Sequence, residues 1–353
     1  MLYLSKVYHM VAEHARGKWR KFVLVNLAHF FYIFHAMVTF HDIETAYEIV
    51  RRAVYKTPLL HSHAVDERSG NSVFFKAENL QRIGAFKIRG AYNKIASLSA
   101  EERTRGVVAH SSGNHAQGVA LAATLLGTKA VVVMPKNSPR NKVAGTQAHG
   151  GEVVFCEDSS DDRERVARQL QAEHNYVLVP PFDDDKIIAG QGTVTLEIAQ
   201  ELKSLEYLFV PVGGGGLIAG NAIAAKHLFP GIKVIGVETE PANDGQQSFR
   251  KKEIVRINPP NTIADGMRTQ AVGKRNFEIM LKFVDDMITV TDAQVIEMMK
   301  FLVDRMKIVV EPTGAVAPAA VFQNILGLRS KNICAIISGG NVDPAFLKSI
   351  LST

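Results

Sequence analysis

Tyr207-Leu208-Phe209-Val210-Pro211-Val212-Gly213-Gly214-Gly215-Gly216-Leu217-Ile218-Ala219-Gly220 is the stretch that decides the fold of this chain. An apolar run of strand length passes through four glycines directly into a helical run of small and apolar residues. Strand, tight turn and helix in that order form the repeating unit of a parallel sheet covered by helices. Bare amides in such a turn can approach a phosphate closely, and the helix dipole adds to the attraction. A flexible linker is the other reading of four glycines, and the regular apolar flanks weigh against it. No Gly-Lys-Ser/Thr follows, and the stretch is not a G-x-G-x-x-G fingerprint with its acidic residue at the expected distance, which disfavours a nucleotide as the ligand.

The same alternation extends in both directions. Strands are predicted at Ser72–Lys76, Val107–Ala109, Ala130–Met134, Glu152–Phe155, Tyr207–Val212, Lys233–Val237 and Asn332–Ile337. Helices are predicted at Ile43–Val54, Ala116–Leu126, Asp162–Glu173, Gly192–Ser204, Leu217–His227, Asp292–Arg305 and Ala315–Ile325. The fold class is α/β. With 353 residues the chain exceeds one typical domain, and no Pro/Gly/Ser linker divides it. We therefore expect a discontinuous large domain, 37–105 and 194–353, with a small domain, 106–193, inserted in it.

Three further motifs follow predicted strands or enter predicted helices. Gln81-Arg82-Ile83-Gly84-Ala85-Phe86-Lys87-Ile88-Arg89-Gly90-Ala91 presents a lysine between apolar neighbours. A solvated surface charge is the default for a lysine. Here Phe86 and Ile88 would desolvate the amine and Arg89 would add a nearby positive charge, both lowering its pKa toward that of a nucleophile and base. Gly84 and Gly90 are expected to form a tight turn before a helix near Ala91. Ser111-Ser112-Gly113-Asn114-His115 offers hydroxyls and free amides at a helix start. It reads equally as a carboxylate site and as an ordinary N-cap. Ser338-Gly339-Gly340-Asn341 ends the last predicted strand and by itself is only a turn.

Composition bounds what else the chain can be. The residues are 46% hydrophobic and 22% charged, as in an ordinary globular protein. The net charge of +6 is spread along the chain rather than gathered with aromatics, so no nucleic-acid partner is expected. Cys156 and Cys334 lack metal or disulfide spacing, which fits a reducing, cytoplasmic setting. Phe22–Phe40 contains no Asp, Glu, Lys or Arg and could be a signal anchor, but Asn26, His29 and His35 interrupt it. An added N-terminal helix, or a start at Met37 that makes 1–36 an extension, is the alternative, and no membrane partner is expected.

Gly84-Ala85-Phe86-Lys87-Ile88-Arg89-Gly90, Ser111-Ser112-Gly113-Asn114-His115, the tetraglycine turn and Ser338-Gly339-Gly340-Asn341 together, in this order, resemble the serine racemase and threonine dehydratase family of fold-type II pyridoxal-phosphate enzymes. Ile188-Ala189-Gly190-Gln191-Gly192-Thr193 and Ile263-Ala264-Asp265-Gly266 fit as well, and the resemblance runs from about Phe40 to the C-terminus. It implies two open, twisted, mostly parallel sheets flanked by helices, and pyridoxal 5'-phosphate as cofactor. Lys87 would hold the cofactor as a Schiff base and take the substrate's α-proton. Asn114 would bond the ring hydroxyl and Gly213, Gly214, Gly215, Gly216 and Leu217 would cradle the phosphate, with Phe86 beside them. Ser338 would face the ring nitrogen. A serine there, unlike a carboxylate, leaves that nitrogen unprotonated and the ring a weaker electron sink, favouring β-elimination or quick reprotonation over transamination.

Within the resemblance, Ser112 points to serine racemases and hydroxyaspartate dehydratases, since threonine dehydratases tend to carry alanine there. Its hydroxyl would be the second acid-base group, opposite Lys87, while Ser111, Ser112, Asn114 and His115 would bind substrate. Arg163 matches a position able to meet a second carboxylate, or is a surface arginine opening a helix. Glu238, Asp244 and the carbonyl of Ala242 match a divalent-cation site suited to Mg²⁺ or Ca²⁺. A homodimer and a possible nucleotide effector are implied. The short stretch after Asn341 leads us to expect no separate regulatory domain. A dehydratase or hydroxyaspartate ammonia-lyase without racemase activity is the alternative enzyme, and a non-catalytic amino-acid sensor the alternative class.

Overall fold

The computed structural model describes residues 37–352 except 112, 139, 158 and 159. The readings made above of residues 1–36, and the role given to Ser112, lie outside the described residues. Among the described residues ten strands form two sheets: β1 Leu59–His61, β2 Ser72–Ala77, β3 Val107–His110, β4 Ala130–Pro135, β5 Glu152–Cys156, β6 Val177–Leu178, β7 Tyr207–Pro211, β8 Lys233–Thr239, β9 Asp286–Val290 and β10 Asn332–Ile337. The larger sheet runs β1-β2-β10-β7-β8-β9, and the smaller β5-β4-β3-β6. Only β1 is antiparallel to its neighbour. Parallel strands covered on both faces read as near-continuous apolar runs, which is why β4, β7 and β10 stand out in the sequence. Short β1 and β6 were not predicted, because three and two residues give too little pattern, and β9 was missed as well.

Register positions the site. Ala335 of β10 pairs with Phe75 of β2 and with Phe209 of β7, so the carboxyl ends of three adjacent strands lie side by side. The segments after them, beginning at Glu78, Val212 and Ser338, therefore leave from one edge, where open parallel sheets place ligands. Two core clusters cover this sheet, one around Phe75, Phe209 and Met298, the other around Leu208, Ile218 and Ile336.

Helices Lys87–Ala96, Asp185–Glu201 and Gly216–Leu228 are packed together by glycine. A Cβ on Gly190 would sit 2.7 Å from the Arg89 carbonyl, and one on Gly192 would sit 2.7 Å from the Gly220 carbonyl. The first helix begins at Lys87, not near Ala91 as expected, and Gly90 lies inside it against Gln191 rather than in a turn. Gly84 does adopt a positive φ of 70° in the turn before it. The helix predicted from Gly192 starts at Asp185, where the Asp184 carboxylate accepts from the Lys186 and Ile187 amides. Thr39 and Asp42 cap Phe40–Val50 reciprocally. Among the described residues no helix is long and apolar enough to cross a membrane.

Beneath these crossings lies a buried ion network. Arg89, fully buried, donates to both oxygens of Glu78 at 2.8 Å and to Glu197 at 2.7 and 2.9 Å. Lys76 donates to Glu197 at 2.7 Å and to the Thr57 carbonyl at 2.6 Å. Two cations thus meet two carboxylates, joining the end of β2 to both helices. Burial alone would raise the Glu78 carboxyl, but the charge and hydrogen bonds of Arg89 outweigh it and hold its pKa below the usual value. This overturns the role expected of Arg89: its charge is taken up by Glu78 and Glu197 and does not act on Lys87. Replacing Arg89 by Leu strands a net negative charge in the core, and we expect a loss of about 3–5 kcal/mol of stability, read from urea unfolding. An unchanged midpoint would show that the network is not needed.

Candidate active site

Lys87 opens its helix from within the groove formed at the sheet edge. Its Nζ is buried and donates to the Pro181 carbonyl at 2.8 Å, with the Phe86 ring centroid 5.1 Å away. Burial, with no compensating anion, lowers its pKa to about 8. The lowering expected from the sequence is therefore present, and desolvation accounts for it.

Backbone pairing assembles the surrounding loops. Phe86 N–H donates to the Ser338 carbonyl at 3.1 Å, Gly340 N–H to the Gly84 carbonyl at 2.8 Å, and Ala85 bridges Gly339. These contacts carry the lysine turn to the end of β10. Ser338 is buried, its hydroxyl 3.4 Å from the Thr313 carbonyl. Asn114 is tied at both ends of its amide: Nδ2 donates to Glu311 at 2.6 Å and Oδ1 accepts from Asn341 at 2.8 Å. Burial first, then the charge of Asp265, raises the Glu311 carboxyl to about 7.

The tetraglycine turn bends through Gly215 at φ +90° into the helix Gly216–Leu228, whose start has no side-chain cap. A Cβ on Gly213 would lie 2.8 Å from the Gly266 carbonyl and one on Gly214 would collide with the Phe182 ring. Side chains are thus excluded from the turn, and the first amides of the helix remain available to an anion. Leu217 follows, buried. A second uncapped start belongs to Asn114–Leu125, where Ser111 Oγ accepts from Gly113 N–H at 3.3 Å. His115 is buried, its Nε2 2.9 Å from the Val179 carbonyl and its Nδ1 unpartnered. Burial, with a smaller push from the charge of Lys87, lowers its pKa to about 3, so the ring is neutral.

A buried amine therefore lies among residues close to two uncapped helix ends, and this donor set fits an anionic aldehyde cofactor and a carboxylate substrate. A family model described as pyridoxal-phosphate dependent enzyme matches residues 50–339. The chain belongs to the pyridoxal-phosphate dependent enzymes. It is 47% identical over 314 residues to the L-threo-3-hydroxyaspartate ammonia-lyase of Saccharomyces cerevisiae, covering 89% of this chain and 96% of that one. With the serine racemase of Schizosaccharomyces pombe it shares 47% identity over 305 residues, 86% of this chain and 94% of that one. The structure of maize serine racemase superposes with a TM-score of 0.86 at 38% identity, covering 90% of this chain and 97% of that one.

Other sequence candidates fall around this center or apart from it. Arg163 sits near the start of the helix Ser160–His174, close enough for its charge to act on His110 at the end of β3. Glu238 at the end of β8, Ala242 and Asp244 form a separate buried group. Glu238 accepts from the Gly245 and Gln246 amides at 3.0 and 2.7 Å, while neither oxygen of Asp244 has a partner. Burial raises the Asp244 carboxyl to about 7, and burial together with Asp244 raises Glu238 well above its usual range. Two buried carboxylates short of a counter-charge suit a hard cation.

Several participants were not read from the sequence. Pro181 and Phe182 lie in one loop and Glu311 and Thr313 at the start of the helix Pro312–Phe322, far along the chain from it, and Asn341 was quoted only as part of a turn. The Glu311-Pro312 pair opening a helix was the available signal. Acetylation of cofactor-free protein, quantified by mass spectrometry, should show Lys87 reactivity rising with pH and levelling above about 8. An ordinary lysine continues upward to about 10.4, and that behaviour at Lys87 would contradict its desolvation.

Proposed function

We propose that this protein racemises serine and dehydrates small β-hydroxy amino acids, L-serine, L-threonine or 3-hydroxyaspartate, to a 2-keto acid and ammonia. The observation that carries the reading is the buried, low-pKa amine of Lys87 beside the uncapped start of Asn114–Leu125, in a chain 47% identical to proteins with these activities. Pyridoxal phosphate, when bound, draws electrons from the substrate's α-carbon and makes its proton acidic. The tetraglycine turn and Leu217 would hold its phosphate by backbone amides, and Asn114, Ser338 and Phe86 would hold its ring. Ser111, Asn114 and His115 hold the substrate carboxylate at the helix start.

Lys87 Nζ, neutral for a useful fraction of time near pH 8, takes the α-proton on one face. Ser112 Oγ delivers or removes a proton on the other, which racemisation requires and elimination does not. Arg163 meets a second carboxylate and widens the range to 3-hydroxyaspartate. The domains are 37–105 with 194–353, and 106–193. The working form is a cytoplasmic homodimer open to a nucleotide effector.

Incubation of the holoenzyme with L-serine, L-threonine and L-threo-3-hydroxyaspartate, following keto acid and D-serine together, tests this. We expect both products from L-serine, and in Ser112→Ala the loss of D-serine with keto acid retained. Keto acid without D-serine from the unaltered protein would make it a dehydratase or hydroxyaspartate ammonia-lyase, the second reading, which the yeast ammonia-lyase favours.

For the cation we propose Mg²⁺ or Ca²⁺ on Glu238, Asp244 and the Ala242 carbonyl, in a structural or activating role. The folded-state pKa values are raised. Without cation the contribution of Asp244 is therefore complete below about 4 and lost as pH rises through about 7, and Glu238 acts in the same direction. Mg²⁺ should stabilise the fold more at pH 8 than at pH 5, by up to about 2.7 kcal/mol at a hundredfold excess over Kd, read as a larger rise in melting temperature. Asp244→Asn should abolish that difference, and an equal Mg²⁺ response in the variant removes the site.

A further inference from the structure

His61, His63 and Asp66 meet on the outer edge of the larger sheet, apart from both sites above. One ligating atom from each lies within 4.8 Å of the other two. His61 ends the edge strand β1, Ser62 turns the chain, His63 opens the helix His63–Ser69, and Asp66 stands in that helix. His61 Nε2 is 2.7 Å from Asp66 Oδ2, and the rings of His61 and His63 meet edge-on with centroids 4.8 Å apart.

The scaffold under these side chains is fixed. Val65 is buried in the core, and Gly70 closes the helix at φ +70° with its amide on the Asp66 carbonyl at 2.7 Å. Asp66 Oδ1 accepts from the Val73 amide of β2 at 2.8 Å, which fixes the carboxylate and leaves Oδ2 facing the imidazoles. His61 pairs with Phe74 across the β1–β2 ladder, and its ring packs at 5.3 Å from that of Phe74. A bond from a carboxylate's second oxygen to the backbone is the kind of outer-shell support that ligating side chains carry.

We propose that His61, His63 and Asp66 form a surface site for a borderline transition-metal ion of the Zn²⁺ class. Two imidazole nitrogens and one carboxylate oxygen are a donor set for Zn²⁺, Ni²⁺ or Cu²⁺, whereas Mg²⁺ and Ca²⁺ take oxygen donors. In a tetrahedral zinc shell with ligands at about 2.0–2.1 Å, donor atoms stand roughly 3.3 Å apart. Small rotations of two exposed rings close the remaining gap. The fourth position stays open to water or to a ligand from solution. The ion takes the place of the hydrogen bond between His61 Nε2 and Asp66 Oδ2, any proton on Nε2 passing to Nδ1 or to solvent, and ties β1, the following helix and β2 together. Hard and borderline cations thereby sort to different places on one chain, the all-oxygen group at Glu238 and Asp244 taking one and the imidazole pair the other.

Calorimetric titration of ZnCl₂ into the full-length holoenzyme, kept saturated with Mg²⁺, tests the assignment. We expect a binding event that weakens by roughly tenfold or more in the double variant His61→Ala/His63→Ala, a loss at least that of an outer-shell partner. Asp66→Asn retains an acceptor for the Val73 amide and should also weaken Zn²⁺, while Asp244→Asn should not. Both histidines are exposed, so cofactor absorbance of the double variant is expected to match the unaltered protein and confirms folding. Identical Zn²⁺ isotherms for the unaltered protein and the folded double variant would overturn the proposal, as would a loss confined to Asp244→Asn.

Discussion

The buried contact of Arg89 with Glu78 and Glu197 is the constraint on which the arrangement of the catalytic elements rests. Two residues after Lys87, on the same helix, the guanidinium is held by two carboxylates from different elements. One follows β2 and the other lies on the helix Asp185–Glu201. A planar fork with five donors can satisfy two carboxylates at fixed angles, which an ammonium cannot. The rotation and depth of the lysine helix are set by this geometry, and with them the direction in which Lys87 enters the groove. Replacement by well-packed apolar residues could be as stable, so the network's evident contribution is to orientation.

The neighbouring lysine shows the opposite electrostatic solution. Arg89 is buried with its charge matched, while Lys87 is half-buried, its amine desolvated and bonded to a carbonyl rather than to a carboxylate. The unmatched amine lowers its pKa and becomes a nucleophile and base, as a lysine does when desolvated. Glycine makes both possible. Where Gly190 meets Arg89 and Gly90, and where Gly192 meets Gly220, backbones touch, which brings the helix carrying Lys87 close to Asp185–Glu201 and that helix close to Gly216–Leu228. The tetraglycine turn uses the same absence of Cβ for another end, leaving amides open toward an anion.

Much of the fold was legible because parallel strands buried on both faces and their helices write long, unmistakable patterns. β4, β7 and β10 were predicted within a residue of their bounds, and the turn after β7 fell where the glycines stand. The edge strands β1 and β6 were missed because three and two residues carry no periodicity. The helix at Lys87 was placed too late because Gly90 was read as a turn, a local preference that tertiary packing against Gln191 and Gly190 overrides.

By itself the sequence determined the α/β class, the strand-to-helix turn of four glycines and the motifs that mark a pyridoxal-phosphate enzyme, because each is written in contiguous residues whose local physics is self-contained. Only the tertiary structure decided that burial rather than Arg89 lowers the Lys87 pKa, that Glu311 and Asn341 hold Asn114, and that Asp244 faces Glu238 without a partner. It also brought His61 and His63 to Asp66 at a sheet edge. Burial, charge pairing and ligand convergence depend on which segments become neighbours, and that is fixed by strand order and register, which no local stretch of the chain contains.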